Sequence, residues 1–199
     1  LAGLQPTLSG SIVMGAEHPI VMNGRAACAK EIALVLTERV SLENTSVHDV
    51  VAMGRYPYTS FFGGVTPQDE QIVYQSLEAV GLLHIAHTYF NAHSDGEKQR
   101  VLIAKAIAQQ TPIILLDEPT AHLDLPNRIR ILKLLKTLAH TQNKTILIST
   151  HELELAKRVS DRALLMWKNG AVLDTIENLQ RQELLSIAFE MDLSEVGYL

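Results

Sequence analysis

Residues 91–124 read NAHSDGEKQRVLIAKAIAQQTPIILLDEPTAHLD, and this stretch decides the fold. Ser94-Asp95-Gly96-Glu97 has the form of a capping box, in which a hydroxyl and a carboxylate three residues apart satisfy the first free amides of a helix. The apolar residues that follow carry the helix to about residue 110. Ile113 to Leu116 is then a continuous apolar run, the pattern of a strand buried on both faces. Two acids close it, Asp117 and Glu118, before Pro119 and a second turn ending at Asp124. The unit is turn, helix, strand, turn, with polar side chains at each end.

Working outward, the same alternation continues. Upstream, Ile32 to Leu36 is a second buried strand, with Thr37, Glu38 and Arg39 directly after it. Ser11 to Met14 and Ile20 to Met22 read as a hairpin or two edge strands around Gly15 and Pro19. Downstream, Asn127 to His140 has helical apolar spacing, and Thr145 to Ser149 reads as another buried strand ending at Thr150-His151-Glu152. Leu153 to Val159 is a helix. Asn169-Gly170 marks a hairpin, and a polar helical tail starts at Thr175. Strands alternating with helices predict an α/β fold with a mostly parallel sheet and antiparallel edge strands.

Residues 44–110 have a different character. Val47, Val50, Val51 and Met53 have helical spacing, RYPYTSFFGG is an aromatic loop, and Thr66-Pro67-Gln68-Asp69 starts a helix that ends near Gly81. This predicts a helical subdomain inserted between 1–43 and 111–175, with 176–199 as a helical tail. Composition favours Tyr56, Tyr58, Phe61 and Phe62 as its small core over an exposed docking patch.

Bulk properties narrow the function. The chain has 199 residues, 47% apolar and 20% charged, enough for one ordinary globular core. Its net charge of -5 argues against a nucleic-acid binder. The single Cys28 excludes an internal disulfide framework. No apolar run approaches the ~20 residues of a membrane span, and nothing at the start reads as a signal peptide. The expectation is a cytosolic protein or one peripheral to a membrane. Leu1 in place of Met, and LAGLQPTLSG as the end of a helix, suggest a fragment.

Two acids at a strand end can hold Mg²⁺ and position water, or simply lie in a solvated loop. A capped helix start with a glycine can also receive a phosphate. His151 after a strand is more often structural than chemical, but it gains weight because Asp117 and Glu118 end a neighbouring strand.

The set SDGEKQR, IILLDEPTAHLD and ISTHE, in that order and spacing, resembles the nucleotide-binding subunit of ATP-binding cassette (ABC) transporters over nearly the whole chain. The resemblance implies a P-loop NTPase-like ABC ATPase core, ATP and Mg²⁺ as ligands, and two subunits sandwiching two ATP molecules head to tail. Asp117 would hold Mg²⁺, Glu118 would orient the attacking water and His151 would contact the γ-phosphate. Ser94, Asp95, Gly96 and Glu97 match the signature loop, which serves the partner's nucleotide, and Asp124 ends the D-loop. TSVHDVVAMGRYPYTSFFG further resembles importers of iron-siderophore, haem or cobalamin, whose helical subdomain meets a membrane permease. That raises the docking reading of the aromatic loop and implies a place on the cytoplasmic face of the cell membrane.

Three departures stand out. Residues 1–199 contain no G-x-x-x-x-G-K-[ST], so the phosphate-binding lysine is expected about two helical turns before Leu1, and 1–199 alone is expected to be inactive. Asp95 replaces the usual first signature glycine, which demands that its carboxylate turn away from phosphate. Thr37 stands where the family has its Q-loop glutamine, with Glu38 as the other candidate. The competing functions are a non-catalytic ABC-like dimerisation or regulatory module, disfavoured by Glu118 and His151, and a soluble ABC ATPase acting on DNA or ribosomes, disfavoured by the charge.

Overall fold

The computed structural model describes residues 9, 13–14, 18–19, 24–37, 40–59, 64–168, 170–182 and 184, and these form two compact units, Leu1–Ser149 and Thr150–Leu199.

In the first unit a three-stranded parallel sheet has the order β3 (Ile32–Val35), β4 (Ile113–Asp117), β5 (Thr145–Ser149). The register pairs Val35 with Leu116, Leu116 with Ile148, and Asp117 with Ser149. Because the strands are parallel, their C-terminal ends share one edge, where Thr37, Asp117 and Ser149 meet. Ahead of the sheet, β1 (Val13–Met14) pairs antiparallel with β2 (His18–Pro19), and α1 (Gly24–Glu31) leads into β3. The expected pair of edge strands is therefore present, with its second strand placed earlier than Ile20 to Met22, which lie outside the described residues.

The central strand is enclosed on one face, where Ile114 and Leu116 are almost fully buried, while Ile113 and Leu115 on the other face are half-buried. The expectation of a buried strand at 145–149 is corrected: its residues alternate between exposed and half-buried, and Leu147 is 37% exposed. Among the described residues β5 pairs on one side only, and α5 (Leu125–Thr141) packs against it.

Between β3 and β4 lie α2 (Val47–Ala52), a 3₁₀ segment over Met53–Tyr58, α3 (Pro67–Ala79) and α4 (Asp95–Ala108). Each α-helix starts with a reciprocal capping box, from Ser46 with Asp49, Thr66 with Asp69, and Ser94 with Glu97. The helices pack through apolar side chains, mostly aliphatic, with Val47, Val51, Val73, Leu77, Val101, Ile103 and the aromatic Phe90 among those fully enclosed. Gly54 lets the 3₁₀ segment lie against α4, since a Cβ there would collide with the Lys105 carbonyl. Beside it the buried Arg55 donates from Nε to Asp69 Oδ1 at 2.7 Å and from Nη1 to the Ala108 carbonyl at 2.8 Å. The Thr66 hydroxyl, then Arg55, hold the Asp69 carboxyl down at about 2.

The aromatic loop corrects the compositional expectation. Tyr56 is 61% exposed and Tyr58 41%, because the aliphatic residues already fill the core. Tyr58 instead stacks against Arg55, whose guanidinium carbon is 4.3 Å from the ring centroid. Phe61 and Phe62 lie outside the described residues.

The second unit holds α6 (Leu153–Val159), the antiparallel pair β6 (Ala163–Trp167) and β7 (Gly170–Asp174), and α7 (Ile176–Arg181). Gly170 pairs with Trp167, so the turn lies one residue earlier than Asn169-Gly170. Thr175 caps α7, and Leu179 is enclosed by Leu153, Ala163, Leu165, Val172 and Leu184. Of the expected helical tail, residues 183 and 185–199 lie outside the described residues. No helix among the described residues is long and apolar enough to cross a membrane.

Candidate functional site

The parallel sheet sets the site by delivering three strand ends to one edge. Asp117 is the last residue of β4, and its two carboxylate oxygens accept from opposite sides. The Ser149 hydroxyl, on the paired residue of β5, donates to Oδ1 at 2.5 Å. The Thr37 hydroxyl, two residues past β3, lies 2.9 Å from Oδ2 and 2.8 Å from the Asp117 carbonyl oxygen. Glu118 follows with φ of +42°, in the left-handed region that a side chain rarely adopts. Its N–H points to Ser149, 3.1 Å from the hydroxyl oxygen and 3.2 Å from the carbonyl oxygen. Its carbonyl accepts from Ala121 N–H at 3.1 Å, which starts the turn toward Asp124.

Asp124 is the N-cap of α5, with Oδ1 accepting from Asn127 N–H at 3.1 Å. The candidate contact residue is thus also a helix cap.

At the start of α4, Ser94 and Glu97 are committed to each other. Ser94 N–H and its hydroxyl donate to Glu97 Oε2 at 3.0 and 2.8 Å, and Glu97 N–H donates to Ser94 Oγ at 3.3 Å. These bonds, the hydroxyl one foremost, hold the Glu97 carboxyl below its usual range. Gly96 is where this helix meets the turn after β4: a Cβ there would lie 2.9 Å from the His122 carbonyl oxygen. Asp95 is exposed and, with Thr37, Ser41, Lys98, Gln99 and His122, lines a cleft of about 410 Å³. Gln99 lines this cleft, and its buried Nε2 has no hydrogen-bond partner among the described residues.

Thr37, Ser94, Asp95, Gly96, Glu97, Asp117, Glu118 and Asp124 all lie in the first unit. Thr37 joins Asp117 directly, and Gly96 joins the turn that follows Glu118. Glu38 lies outside the described residues. His151 belongs to the second unit, exposed ahead of α6, where Glu152 N–H donates to the Thr150 hydroxyl at 3.0 Å. Sequence reasoning missed Ser149. A hydroxyl ending an apolar strand has no pattern of its own, and its place opposite Asp117 is set by the pairing of β5 with β4.

The donor set fits Mg²⁺ held with a nucleotide. That ion binds through one or two carboxylates plus substrate phosphates, not in an all-protein cage. Among the described residues no group of three His, Cys, Asp or Glu side chains forms such a cage, while Asp117 presents a carboxylate braced by two hydroxyls.

Comparison with known proteins agrees with this geometry. The family model described as ABC transporter matches residues 1–121. An uncharacterised ABC transporter ATP-binding protein of Methanocaldococcus jannaschii, MJ0873, is 40% identical over 172 residues, 85% of this chain and 58% of the relative. The achromobactin transport ATP-binding protein CbrD of Dickeya dadantii is 38% identical, over 80% of this chain and 59% of its own. The iron(3+)-hydroxamate import ATP-binding protein FhuC of Bacillus subtilis is 34% identical, over 87% of this chain and 67% of its own. Among solved structures, an inward-facing ABC transporter assigned to the metal-chelate type superposes with a TM-score of 0.75 at 35% identity, covering 80% of this chain and 64% of that one. The dimeric cassette MJ0796 superposes at 0.62 with 27% identity, covering 70% and 60%.

A parallel sheet ending in paired carboxylates beside a capped, glycine-containing helix start is the core of an ATP-binding cassette. The chain belongs to the ABC transporter family. It spans less than two thirds of the length of MJ0873 and CbrD.

Proposed function

We propose that the chain is part of the ATP-binding and ATP-hydrolysing subunit of a membrane importer for metal chelates of the iron-siderophore, haem or cobalamin kind. The observation that carries the reading is the braced Asp117, followed by Glu118, at the shared C-terminal edge of the parallel sheet. The importer class draws support from relatives named for iron(3+)-hydroxamate and cobalamin import, while a molybdate import relative at 33% identity keeps the cargo open to other anions and chelates.

In this reading Mg²⁺ bound with ATP would offset phosphate charge. Asp117 would hold that ion, with its own orientation set by Thr37 and Ser149. Glu118 orients the attacking water toward the γ-phosphate and takes up its proton. His151 contacts the γ-phosphate. Ser94, Gly96 and the start of α4 face the nucleotide of a second subunit, and Asp124 ends the D-loop turn. Catalysis is then positioning plus electrostatics. The exposed aromatic side chains of the helical segment, Tyr56 and Tyr58 in the aromatic loop and Tyr89 further along, are candidates for docking to the permease on the cytoplasmic side of the membrane.

Residues 1–199 hold no Gly-x-x-x-x-Gly-Lys-Ser/Thr cradle, so the test uses the full-length gene product. Mg-dependent ATP hydrolysis is expected, together with uptake of a metal chelate when the protein is assembled with its permease. A full-length protein that binds no Mg·ATP would overturn the reading.

A further inference from the structure

We propose that Ser149 is a positioning residue that sets both carboxylates of the site at once. The inference rests on the proposed ATPase reading and goes beyond it, to a residue of the ISTHE stretch to which the resemblance assigns no role. One hydroxyl makes two contacts with different partners. It donates to Asp117 Oδ1 at 2.5 Å, and its oxygen accepts from Glu118 N–H at 3.1 Å. A hydroxyl has one proton and two acceptor lone pairs, so both bonds form together. The donated bond fixes which face Asp117 turns to a cation. The accepted bond helps hold the Glu118 backbone at φ +42°, where its side chain leaves β4 in a direction that an extended residue would not give.

The sheet supplies the precision. Ser149 and Asp117 are register partners on parallel strands, so the hydroxyl is held by backbone pairing. Thr37 braces the other Asp117 oxygen but comes from a residue beyond the end of β3. The two hydroxyls are therefore held differently, and Ser149 couples the cation-holding acid to the water-orienting one. Asp117 and Ser149 are both solvent-exposed, so these bonds add little to stability and act chiefly on geometry.

The test compares Ser149→Ala with Ser149→Thr, which keeps the hydroxyl, in the full-length protein. Loss of an orienting partner behind a metal-holding group costs about 10- to 100-fold in activity or metal affinity. For Ser149→Ala the expected results are a fall in kcat of that size, KM for ATP within about threefold, an unchanged melting temperature, and faster hydrogen exchange of the Glu118 amide. Ser149→Thr should restore kcat. The exchange measurement needs no nucleotide. If the wild-type protein binds no Mg·ATP, the ATPase reading fails while the Ser149 geometry is still judged by the Glu118 amide. Unchanged exchange in Ser149→Ala overturns the positioning role. So does a kcat loss that appears only with a matching loss of folding.

Discussion

The His122 carbonyl oxygen lies 2.9 Å from where a Cβ on Gly96 would stand, so the start of α4 and the turn after Glu118 touch without room for a methyl group. Any backbone carbonyl in that position must move if a side chain is added. Two segments about 25 residues apart thus share one rigid contact, and small shifts pass from one to the other.

Gly96→Ala should break that contact. Overpacking of this kind costs roughly 1–3 kcal/mol. The variant should melt several degrees lower, and ATP turnover should fall more than stability does, because both the turn and the helix start are displaced. A thermal scan and an ATPase assay on the full-length protein check this. A variant with wild-type melting and turnover would show that the contact relaxes freely.

Glu118→Gln keeps the size of the side chain and removes its capacity to take a proton. General-base groups contribute about 10²- to 10⁴-fold, so hydrolysis should fall within that range while Mg·ATP binding persists. Equilibrium binding and single-turnover hydrolysis separate the two. Turnover within a few-fold of wild type would remove Glu118 from the chemistry.

The Arg55–Asp69 pair makes a pH prediction. Asp69 is held at about 2, below the ordinary value of an unfolded aspartate. A depressed folded value adds stability above the unfolded value, near 4, and that stability is lost as pH falls from about 4 to 2. Asp69→Asn leaves a buried guanidinium short of its counter-charge, which costs about 3–5 kcal/mol. Melting curves from pH 7 down to 2 should show the wild type losing its advantage over Asp69→Asn at the acid end. Parallel curves would refute the assignment.

Tyr56 and Tyr89 are 61% and 64% exposed. Changing either to Asp should move stability by no more than about 0.5 kcal/mol. The same changes should weaken assembly with the permease, read by co-purification from membranes. Full assembly with both residues changed would place the docking face elsewhere.

Much of this was legible in the sequence. The apolar runs at 32–36 and 113–116 were readable as strands because a period-free apolar stretch suits a strand covered by packing, although Leu36 lies past the end of β3 and is 40% exposed. The Ser94 and Thr66 caps were readable because capping is a local bargain between residues three apart. Asp117 and Glu118 were readable as a strand end. What stayed hidden depended on neighbours distant in the chain. Ser149 matters only because β5 pairs with β4 in that register, and Arg55 is buried only because Asp69 and Ala108 converge on it. Composition placed Tyr56 and Tyr58 in the core, where aliphatic side chains had already taken the space. Burial of β5 was overestimated because an apolar run does not say how many neighbours its strand will have.

Thr37 stands in two places at once, against Asp117 and in the wall of the cleft beside Asp95 and His122. Its hydroxyl carries a single proton. An acceptor entering the cleft and taking that proton leaves Asp117 braced from one side only. The cleft and the carboxylate therefore share one hydrogen, and whatever occupies the first is reported to the second by which oxygen that hydrogen faces.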